Sequence, residues 1–416
     1  MTPTQTQTRS HLDARLQALA RALDATYPAV FWLDPGPEAP ADATIRMGFA
    51  HEWATARGGE EPQFLTDLEG KNRLLWLDHE FAGQYPEDRG NPVGVALDPA
   101  AWLSVKGSGV DFCGPEAATL RALWEGTRPD AGASTFTPPR SVTSAWRQDS
   151  PTFTAVVAAC QEATADGTFA ALCPTNQLQI TGVTADLETY LHLRTQVFAA
   201  AGGFIRYGQR TLLSASPEQF FATDPDGRIW AEPIKGTRQR GARDDEATKV
   251  ELSTDPKELA ENGAVAAQVA RELTPVCVDG TVNIHPPVVR SFTHVHQLIG
   301  QVEGKLAVPT AQVLQQMMPV ASMLGAPKAE AFAFTRELEG APRGGYSGCF
   351  GWLGADGAAD LRVTIRSAVG NTADEHLRIG VGAGVIAQSV VAAEVAETAA
   401  KAQPLLQALG GGAAEN

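Results

Sequence analysis

The sequence predicts an α+β protein whose core is a large antiparallel β-sheet of the sandwich type, with helices on the outside. Strand-like runs follow one another in QLQIT, GFIRYG, RTLLSAS and GRIWAEPIKG. The turn signals PDG and GGF favour antiparallel hairpins over crossover connections. Amphipathic stretches on either side of these runs have the period of helices that cover one face of a sheet.

The first part of the chain carries no chemical motif. HLDARLQALARALDATY has helical periodicity, and AVFWL, LLWLDHEF and VGVAL are strand-like runs between turns. Residues 126–152 are rich in Pro, Ser, Thr and Gly, which is typical of a long connection. We therefore expect an N-terminal region at 1–150 that is part of the same body, a main unit at 151–410 and a disordered tail at 411–416.

Helix signals are stronger in the second part. TFTAVVAACQEATADG is amphipathic and is followed by a stop at Gly167. In STDPKELAENGAVAAQVARELTP, Pro256 suits the first helical turn and Pro275 ends the helix. KAEAFAFTRELE and AAEVAETAAKAQPLLQAL are further helices, whereas YSGCFGWL, ADLRVTIRSAV and LRIGVGAGVI are predicted strands.

Composition excludes several classes of function. The formal net charge is -15, with 48 acidic residues against 33 Lys plus Arg, which argues against nucleic-acid binding and against binding to anionic membranes. The five cysteines have no CxxC spacing, as expected of reduced structural thiols. The N-terminus has no apolar signal region and no long apolar run occurs, so we expect a cytoplasmic protein without a membrane span.

Two pairs of glutamates have helical spacing. Glu258 and Glu261 lie near the start of one predicted helix, and Glu394 and Glu397 share a face of the last helix with Lys401. Carboxylate pairs on two facing helices would suit Mg2+, which prefers oxygen ligands. The alternative is that each pair belongs to a solvated helix face.

A lysine lies beside glycine in the apolar strand of AEPIKGTRQRG. If Lys235 is desolvated there, more of its amine would be neutral at working pH and available as a nucleophile. The alternative is a lysine at a strand end whose ammonium group extends to solvent.

Glycines alternate in GVGAGVI, where Gly380, Gly382 and Gly384 lie between a strand and the last helix. Backbone N–H groups can approach an anion closely at such a place, although the glycines would also permit a simple tight bend. Close contact with an anion and a purely structural bend both remain open.

Four further polar residues lie in strand-like segments. His294 and His296 alternate onto one face of FTHVHQL, where a histidine is either an acid–base group or a structural hydrogen-bonding residue. Tyr346 and Arg366 are predicted to lie in strands close to turns, and an arginine there would present two donors to a carboxylate unless it lies on the surface.

Several motifs together resemble those of the chorismate-utilising enzymes, the family of anthranilate synthase component I. SASPEQF, EPIKGTRQRG, DPKELAEN, THVHQL, ASMLGAPKAEA, GGYSGCFGWL, VTIRSA and GVGAGVIAQS occur in the order and spacing of that family, over residues 153–408. The resemblance implies the large α+β fold of the family, a catalytic unit at 151–410, chorismate as substrate and Mg2+ as cofactor.

The resemblance also implies roles for particular residues. Glu261 and Glu397 would hold Mg2+ directly, with Glu258 and Glu394 supporting it through water. Glu218 would be the general acid for departure of the C4 hydroxyl, and His296 would lie beside the reacting ring. The substrate-binding residues would be Gly236, Thr237, Tyr346, Arg366, Gly382, Gly384 and Lys401.

Lys235 resembles the lysine of the aminodeoxychorismate synthases, whereas anthranilate and isochorismate synthases usually carry a small residue there. In that subfamily the amine is thought to attack C2 of chorismate, after which ammonia adds at C4 and expels it. The sequence carries no amidotransferase motif, so the resemblance implies a glutamine amidotransferase subunit as a partner that supplies ammonia.

The sequence departs from the subfamily at several positions. The RND signature is missing, and RELTPVC is closer to isochorismate synthases. Leu324 replaces a Thr or Ser that contacts the substrate, and Ala171 replaces the lysine base of the water-adding members or the glutamine of the amine-adding members. Anthranilate synthase, isochorismate synthase and a weakly active chorismate-binding homologue therefore remain alternatives.

Overall fold

The computed structural model describes residues 3–36, 43–82, 90–129, 136–139, 141–197, 201–241, 244–292 and 295–413. The strands in these ranges are β1 Ala29–Asp34, β2 Thr44–Arg57, β3 Arg73–Leu77, β4 Pro92–Lys106, β5 Gly109–Cys113, β6 Thr143–Trp146, β7 Ala171–Leu172, β8 Thr175–Thr181, β9 Gly202–Tyr207, β10 Arg210–Ser214, β11 Gln219–Thr223, β12 Arg228–Glu232, β13 Ile234–Gln239, β14 Asn283–Ser291, β15 Val295–Lys305, β16 Gly325–Ala326, β17 Cys349–Leu353, β18 Ala359–Val363, β19 Ser367–Asn371 and β20 His376–Gly382. The helices are α1 Pro3–Thr26, α2 Glu61–Leu68, α3 Ala117–Gly126, α4 Ser150–Ala165, α5 Leu187–Gln196, α6 Asp245–Thr254, α7 Pro256–Leu273, α8 Thr310–Met317, α9 Lys328–Glu339 and α10 Val391–Ala408.

Most of these strands belong to one large, continuously hydrogen-bonded antiparallel sheet. Strand β1 pairs antiparallel with β2 on one side and with β9 on the other, so the first strand joins early and late parts of the chain. The predicted α+β class with a large antiparallel sheet is confirmed. Among the described pairings, β6 pairs only with β8 and β14 only with β15. Strands β7 and β16 pair with each other outside this sheet.

Strands from the first part of the chain pair directly with strands from the second part. Strand β3 pairs with β17, with Leu77 opposite Cys349. The predicted connection at 126–152 contains β6, which pairs with β8. The tail residues 414–416 lie outside the described residues, whereas the backbone N–H of Gly411 donates to the Leu406 carbonyl.

Local capping explains where the main helices begin. Asp255 accepts hydrogen bonds from the backbone N–H groups of residues 257 and 258, and Pro256 occupies the first position of α7 as predicted. Helix α7 ends at Leu273, before Pro275. Helix α10 begins at Val391, where Glu394 falls in its first turn. The helix positions predicted from these segments are confirmed.

Three strand predictions were wrong in detail. GRIWAEPIKG forms two strands, because Pro233 has no N–H to donate and the pairing register shifts between Ile234 and Thr237. Arg366 lies at a bend between β18 and β19 with φ of 50°, and Tyr346 lies in a turn before β17. Positive φ is incompatible with a regular strand, which is why LRVTIRS does not continue as one.

A buried apolar cluster lies beneath α7 and α8 and reaches the strands beside them. It includes Phe220, Val269, Met317, Val320 and Tyr346. These side chains form an apolar layer beside Glu218. In the described part of the chain, none of the helices has the length and apolar character needed to cross a bilayer.

Candidate active site

The Lys235 side chain extends from β13 towards the segment that follows β20. Its Nζ lies 3.2 Å from the position that a Cβ atom on Gly384 would occupy, just beyond the end of β20. No described acidic side chain forms an ion pair with this half-buried lysine. Its positive charge nevertheless stabilises the ionised carboxylates of Glu218, Glu261 and Glu397. The amine is therefore directed into the protein and has no partner of its own there.

Glu218 lies immediately before β11 and is 5% exposed. Burial raises the pKa of Glu218 to about 7, against the opposing effects of the Ser322 hydroxyl, the Lys235 charge, the Ile234 backbone N–H and the Lys401 charge. A carboxyl with this pKa carries its proton for a substantial part of the time near neutral pH. Glu218 can therefore donate a proton to a leaving group.

The alternating glycines allow close packing at the end of β20. A Cβ atom on Gly380 would lie 2.1 Å from Cγ of Tyr346, and one on Gly382 would lie 2.6 Å from the Pro174 carbonyl oxygen. The Lys401 ammonium donates to the Gly382 carbonyl at 2.8 Å. These glycines bring the Tyr346 ring and two lysines close to one segment of backbone. No side chain could replace the hydrogen atom at Gly380 without displacing the tyrosine.

Arg366 carries a half-buried guanidinium without a hydrogen-bonding partner among the described residues. Burial lowers the pKa of Arg366, although Tyr346 and Glu397 oppose the effect. Among the described residues, none accepts a hydrogen bond from its side chain. Its φ of 50° is a strained conformation for a residue with a side chain, and such strain is concentrated at functional sites. The planar guanidinium is suited to bind a carboxylate through two hydrogen bonds.

The four predicted metal ligands lie on α7 and α10, and each has a neighbouring donor. Those donors are Arg238 for Glu258 at 2.9 Å, Lys257 for Glu261 at 3.7 Å, Ser389 for Glu394 at 2.8 Å and Lys401 for Glu397 at 2.8 Å. The two helices lie within electrostatic reach, because burial and the charge of Glu394 both raise the pKa of Glu261. No three acidic, histidine or cysteine side chains of the described residues converge closely enough to hold a metal ion.

His296 is held by other protein groups. Its Nδ1 lies 2.8 Å from Ser291 Oγ and its Nε2 lies 3.1 Å from Asp245 Oδ1, and the residue is 1% exposed. Both ring nitrogens thus have protein partners, as in the structural alternative that the sequence left open. His294 lies outside the described residues.

The two residues after Lys235 differ in their surroundings. Gly236 has φ of 88°, and a Cβ atom on it would lie 2.9 Å from Glu258 Oε2. Thr237 is exposed, and in the sheet it pairs with Gln297 of β15. Because side chains alternate along a strand, Gln297 and His296 lie on opposite faces of β15. Gln297 is buried and was not selected from the sequence, because a single glutamine in a strand carries no chemical signal.

Two residues that depart from the family pattern, Leu324 and Ala171, lie beside or within the small sheet of β7 and β16. Leu324 is fully buried in a cluster with Phe153 and Leu172, and Ala171 pairs with Ala326 in the small sheet. Ser322 is the hydroxyl of this segment that faces Glu218. It was not selected from the sequence, although ASMLGAPK contains no other hydroxyl group.

A buried ion pair that the sequence did not reveal connects the segments around the site. The Arg343 guanidinium donates to Glu339 at 2.9 and 2.7 Å, to the Met323 carbonyl at 2.7 Å and to the Cys173 carbonyl at 2.8 Å. Glu339 also accepts from the Thr175 backbone N–H at 2.9 Å. In the sequence, Arg343 lies in the loop-like run APRGGYSG, where nothing indicates a buried partner.

The sequence is similar to known proteins over most of its length. Residues 95–407 match the family of chorismate binding enzymes. Aminodeoxychorismate synthase of Streptomyces pristinaespiralis is 37% identical over 270 residues, which cover 64% of this chain and 37% of that protein. Anthranilate synthase component 1 of Thermus thermophilus is 36% identical over 212 residues, covering 50% of this chain and 45% of the relative. The aligned parts are thus less than half of these relatives' own length.

Solved structures share the fold. The menaquinone-specific isochorismate synthase of Escherichia coli superimposes with a TM-score of 0.74 at 18% identity, over 94% of this chain and 91% of that one. Anthranilate synthase component I of Streptococcus pneumoniae gives 0.72 at 19% identity, over 91% and 93% of the two chains. The family match and the shared fold show that this protein belongs to the chorismate binding enzyme family.

Proposed function

We propose that the protein is an aminodeoxychorismate synthase component I, which converts chorismate and ammonia into 4-amino-4-deoxychorismate on the route to para-aminobenzoate and folate. The observation that carries the proposal is the unpaired amine of Lys235, which lies against Gly384 and within electrostatic reach of the buried acid Glu218. The aminodeoxychorismate synthases among its relatives, at 37% identity in two Streptomyces proteins, support the same choice.

Lys235 and Glu218 divide the chemistry between them in this proposal. The Lys235 amine forms a bond to C2 of the ring, the ring double bond moves, and the C4 hydroxyl leaves as water with the Glu218 proton. Ammonia then forms a bond at C4 and the amine leaves C2, so that one difficult substitution becomes two displacements. Glu218 suits the first step because burial raises its pKa to about 7.

The two carboxylates of the substrate need cationic and hydrogen-bonding partners. Arg366 fits this role because its half-buried guanidinium has no acceptor among the described residues. Lys401 and the backbone at Gly382 lie together at the end of β20, and Tyr346 covers Gly380 beside them. We assign substrate binding to these groups together with Gly236, Thr237 and Gly384.

Mg2+ fits the donor set of α7 and α10, because carboxylate oxygens are the ligands it prefers. Glu261 and Glu397 would hold it, and Glu258 and Glu394 would support it. When bound, the ion would supply positive charge opposite a substrate carboxylate. The carboxylates are now paired with Lys257 and Lys401, so binding would exchange these lysine contacts for the ion.

Glu261→Gln and Glu397→Gln are each expected to weaken Mg2+ binding by about tenfold or more, since each removes one charged ligand oxygen. Calorimetric titration with Mg2+ measures this without turnover. Glu246→Gln is the matched control, because Glu246 lies on α6 with a side chain 75% exposed. Equal Mg2+ affinity in all three variants and the wild type would remove these two glutamates from the metal site.

A glutamine amidotransferase subunit is the proposed source of ammonia, and free ammonium should replace it in vitro. Incubation with chorismate, Mg2+ and ammonium, followed by mass and retention analysis, tests the function. We expect a 4-amino product. Anthranilate with pyruvate, or isochorismate, would assign the protein to the other branches of the family. Binding of chorismate without any product would indicate the non-catalytic homologue.

A further inference from the structure

A small, partly closed cavity lies behind Glu218, on the side of α7. Its volume of about 10 Å³ leaves room for one molecule of the size of water. Its walls are mostly apolar, and the polar groups among them are few. Glu218, Glu272 and Ser322 line it beside apolar side chains that include Val269, Met317 and Val320.

Two buried polar atoms at this cavity lack a well-formed protein hydrogen bond. Glu272 Oε2 makes no hydrogen bond to any described residue. Ser322 Oγ lies close enough to Glu218 to lower the pKa of that carboxyl, but no hydrogen bond of ordinary geometry joins them, and the two residues are 7% (Ser322) and 5% (Glu272) exposed. The other carboxylate oxygen of Glu272 accepts from Gln268 at 2.8 Å and lies 3.2 Å from the Lys328 ammonium. Buried polar atoms without a hydrogen-bond partner destabilise the folded protein. A small hydrogen-bond donor in the cavity would remove that destabilisation.

We propose that this cavity is the binding site for the nitrogen substrate, held as ammonium between Glu272, Ser322 and Glu218. Glu272 Oε2, the Ser322 hydroxyl and the Glu218 carboxyl offer acceptors, and ammonium supplies four donors at the size of water. The Glu272 carboxylate favours a cation over neutral water, and the Glu218 carboxylate adds to this preference once its proton has left, while Lys328 contacts the oxygen of Glu272 that faces Gln268. This inference rests on the proposed function.

Glu218 lines the cavity and lies within electrostatic reach of Lys235, so it can complete the proton balance. Glu218 gives its proton to the C4 hydroxyl as the C4–O bond breaks, the C2–N bond to Lys235 forms and water leaves. The Glu218 carboxylate then takes a proton from the bound ammonium, which restores the acid and gives ammonia a free electron pair. Ammonia forms the C4–N bond while the C2–N bond to Lys235 breaks. Chorismate and ammonium thus yield the protonated amino product and water.

Two measurements test the site. In steady-state assays with free ammonium, Glu272→Gln is expected to raise the KM for ammonium by about tenfold or more and to change the KM for chorismate by less than about threefold. Ser322→Ala, which removes a single oxygen atom, should raise the KM for ammonium by about threefold or more, and covers the case that Glu272→Gln does not fold. Gln268→Ala, which alters only the far oxygen of Glu272, is the control and should leave both KM values unchanged.

Binding of ¹⁵N-labelled ammonium, followed by NMR without chorismate, provides a readout that does not depend on turnover. Saturable binding in the wild type that is lost in Glu272→Gln supports the site. No saturable binding, or equal binding in both proteins, overturns it and leaves only an ordered water in the cavity. If binding is found but no amino product forms, the proposed function fails while the site stands. If the product forms with an unchanged KM for ammonium in Glu272→Gln, the site fails while the function stands.

Discussion

Lys235→Ala is expected to lower the rate of 4-amino-4-deoxychorismate formation by about a thousandfold or more, equivalent to about 4 kcal/mol of transition-state stabilisation. Alanine has no amine that could form a bond to C2 of chorismate. Binding of chorismate should change much less, since Arg366 and Lys401 remain. Single-turnover product analysis and a chorismate titration followed by tryptophan fluorescence measure the two effects separately.

Lys249→Ala is the matched control for this loss. Lys249 lies on α6 with a side chain 37% exposed, so its removal should leave product formation unchanged. If Lys235→Ala kept product formation within about tenfold of the wild type, the nucleophile role would be wrong, because that corresponds to only about 1.4 kcal/mol. The lysine would then serve only to bind an anion.

Arg343→Met is expected to lower the free energy of unfolding by about 3–5 kcal/mol, because it leaves the buried Glu339 carboxylate without its cation. The side chains of Arg343 and Glu339 are 3% and 1% exposed, and methionine also deprives the carbonyl oxygens of Met323 and Cys173 of their donor. Urea denaturation followed by circular dichroism measures this loss.

Arg228→Met controls for the removal of an arginine as such. Arg228 forms a surface pair with Glu303 and has a side chain 62% exposed, so the expected change is below about 1 kcal/mol. A similar small change in Arg343→Met would show that the Arg343–Glu339 pair contributes no more than a surface pair. A double variant, Arg343→Met with Glu339→Leu, should recover part of the loss because no charge remains buried alone.

Features set by neighbours along the chain could be predicted from the sequence. Asp255 and Pro256 specify the start of α7 through one cap and one fixed φ, and Pro275 follows its end. The spacing of Glu394, Glu397 and Lys401 places them on one helix face for the same local reason. The alternation of apolar runs and turns was sufficient to predict an antiparallel sheet.

Features set by distant contacts could not be predicted in the same way. Arg366 and Tyr346 were placed in strands, whereas a positive φ at Arg366 and Ser347 puts both in turns beside β20. The cavity that joins Glu272 to Ser322 depends on packing between α7 and the segment after α8, which no local pattern records. The same is true of Arg343, whose four acceptor atoms lie in three segments of the chain.

The sequence by itself determined the helices, the antiparallel strands and the residue types available for chemistry, because these depend on periodicity, caps and glycines within about one or two turns of chain. The tertiary structure decided which of those groups meet. Burial of Glu218, the direction of the Lys235 amine and the partners of His296 all arise where segments far apart in sequence exclude water together, and that exclusion sets the charge and reactivity of each group.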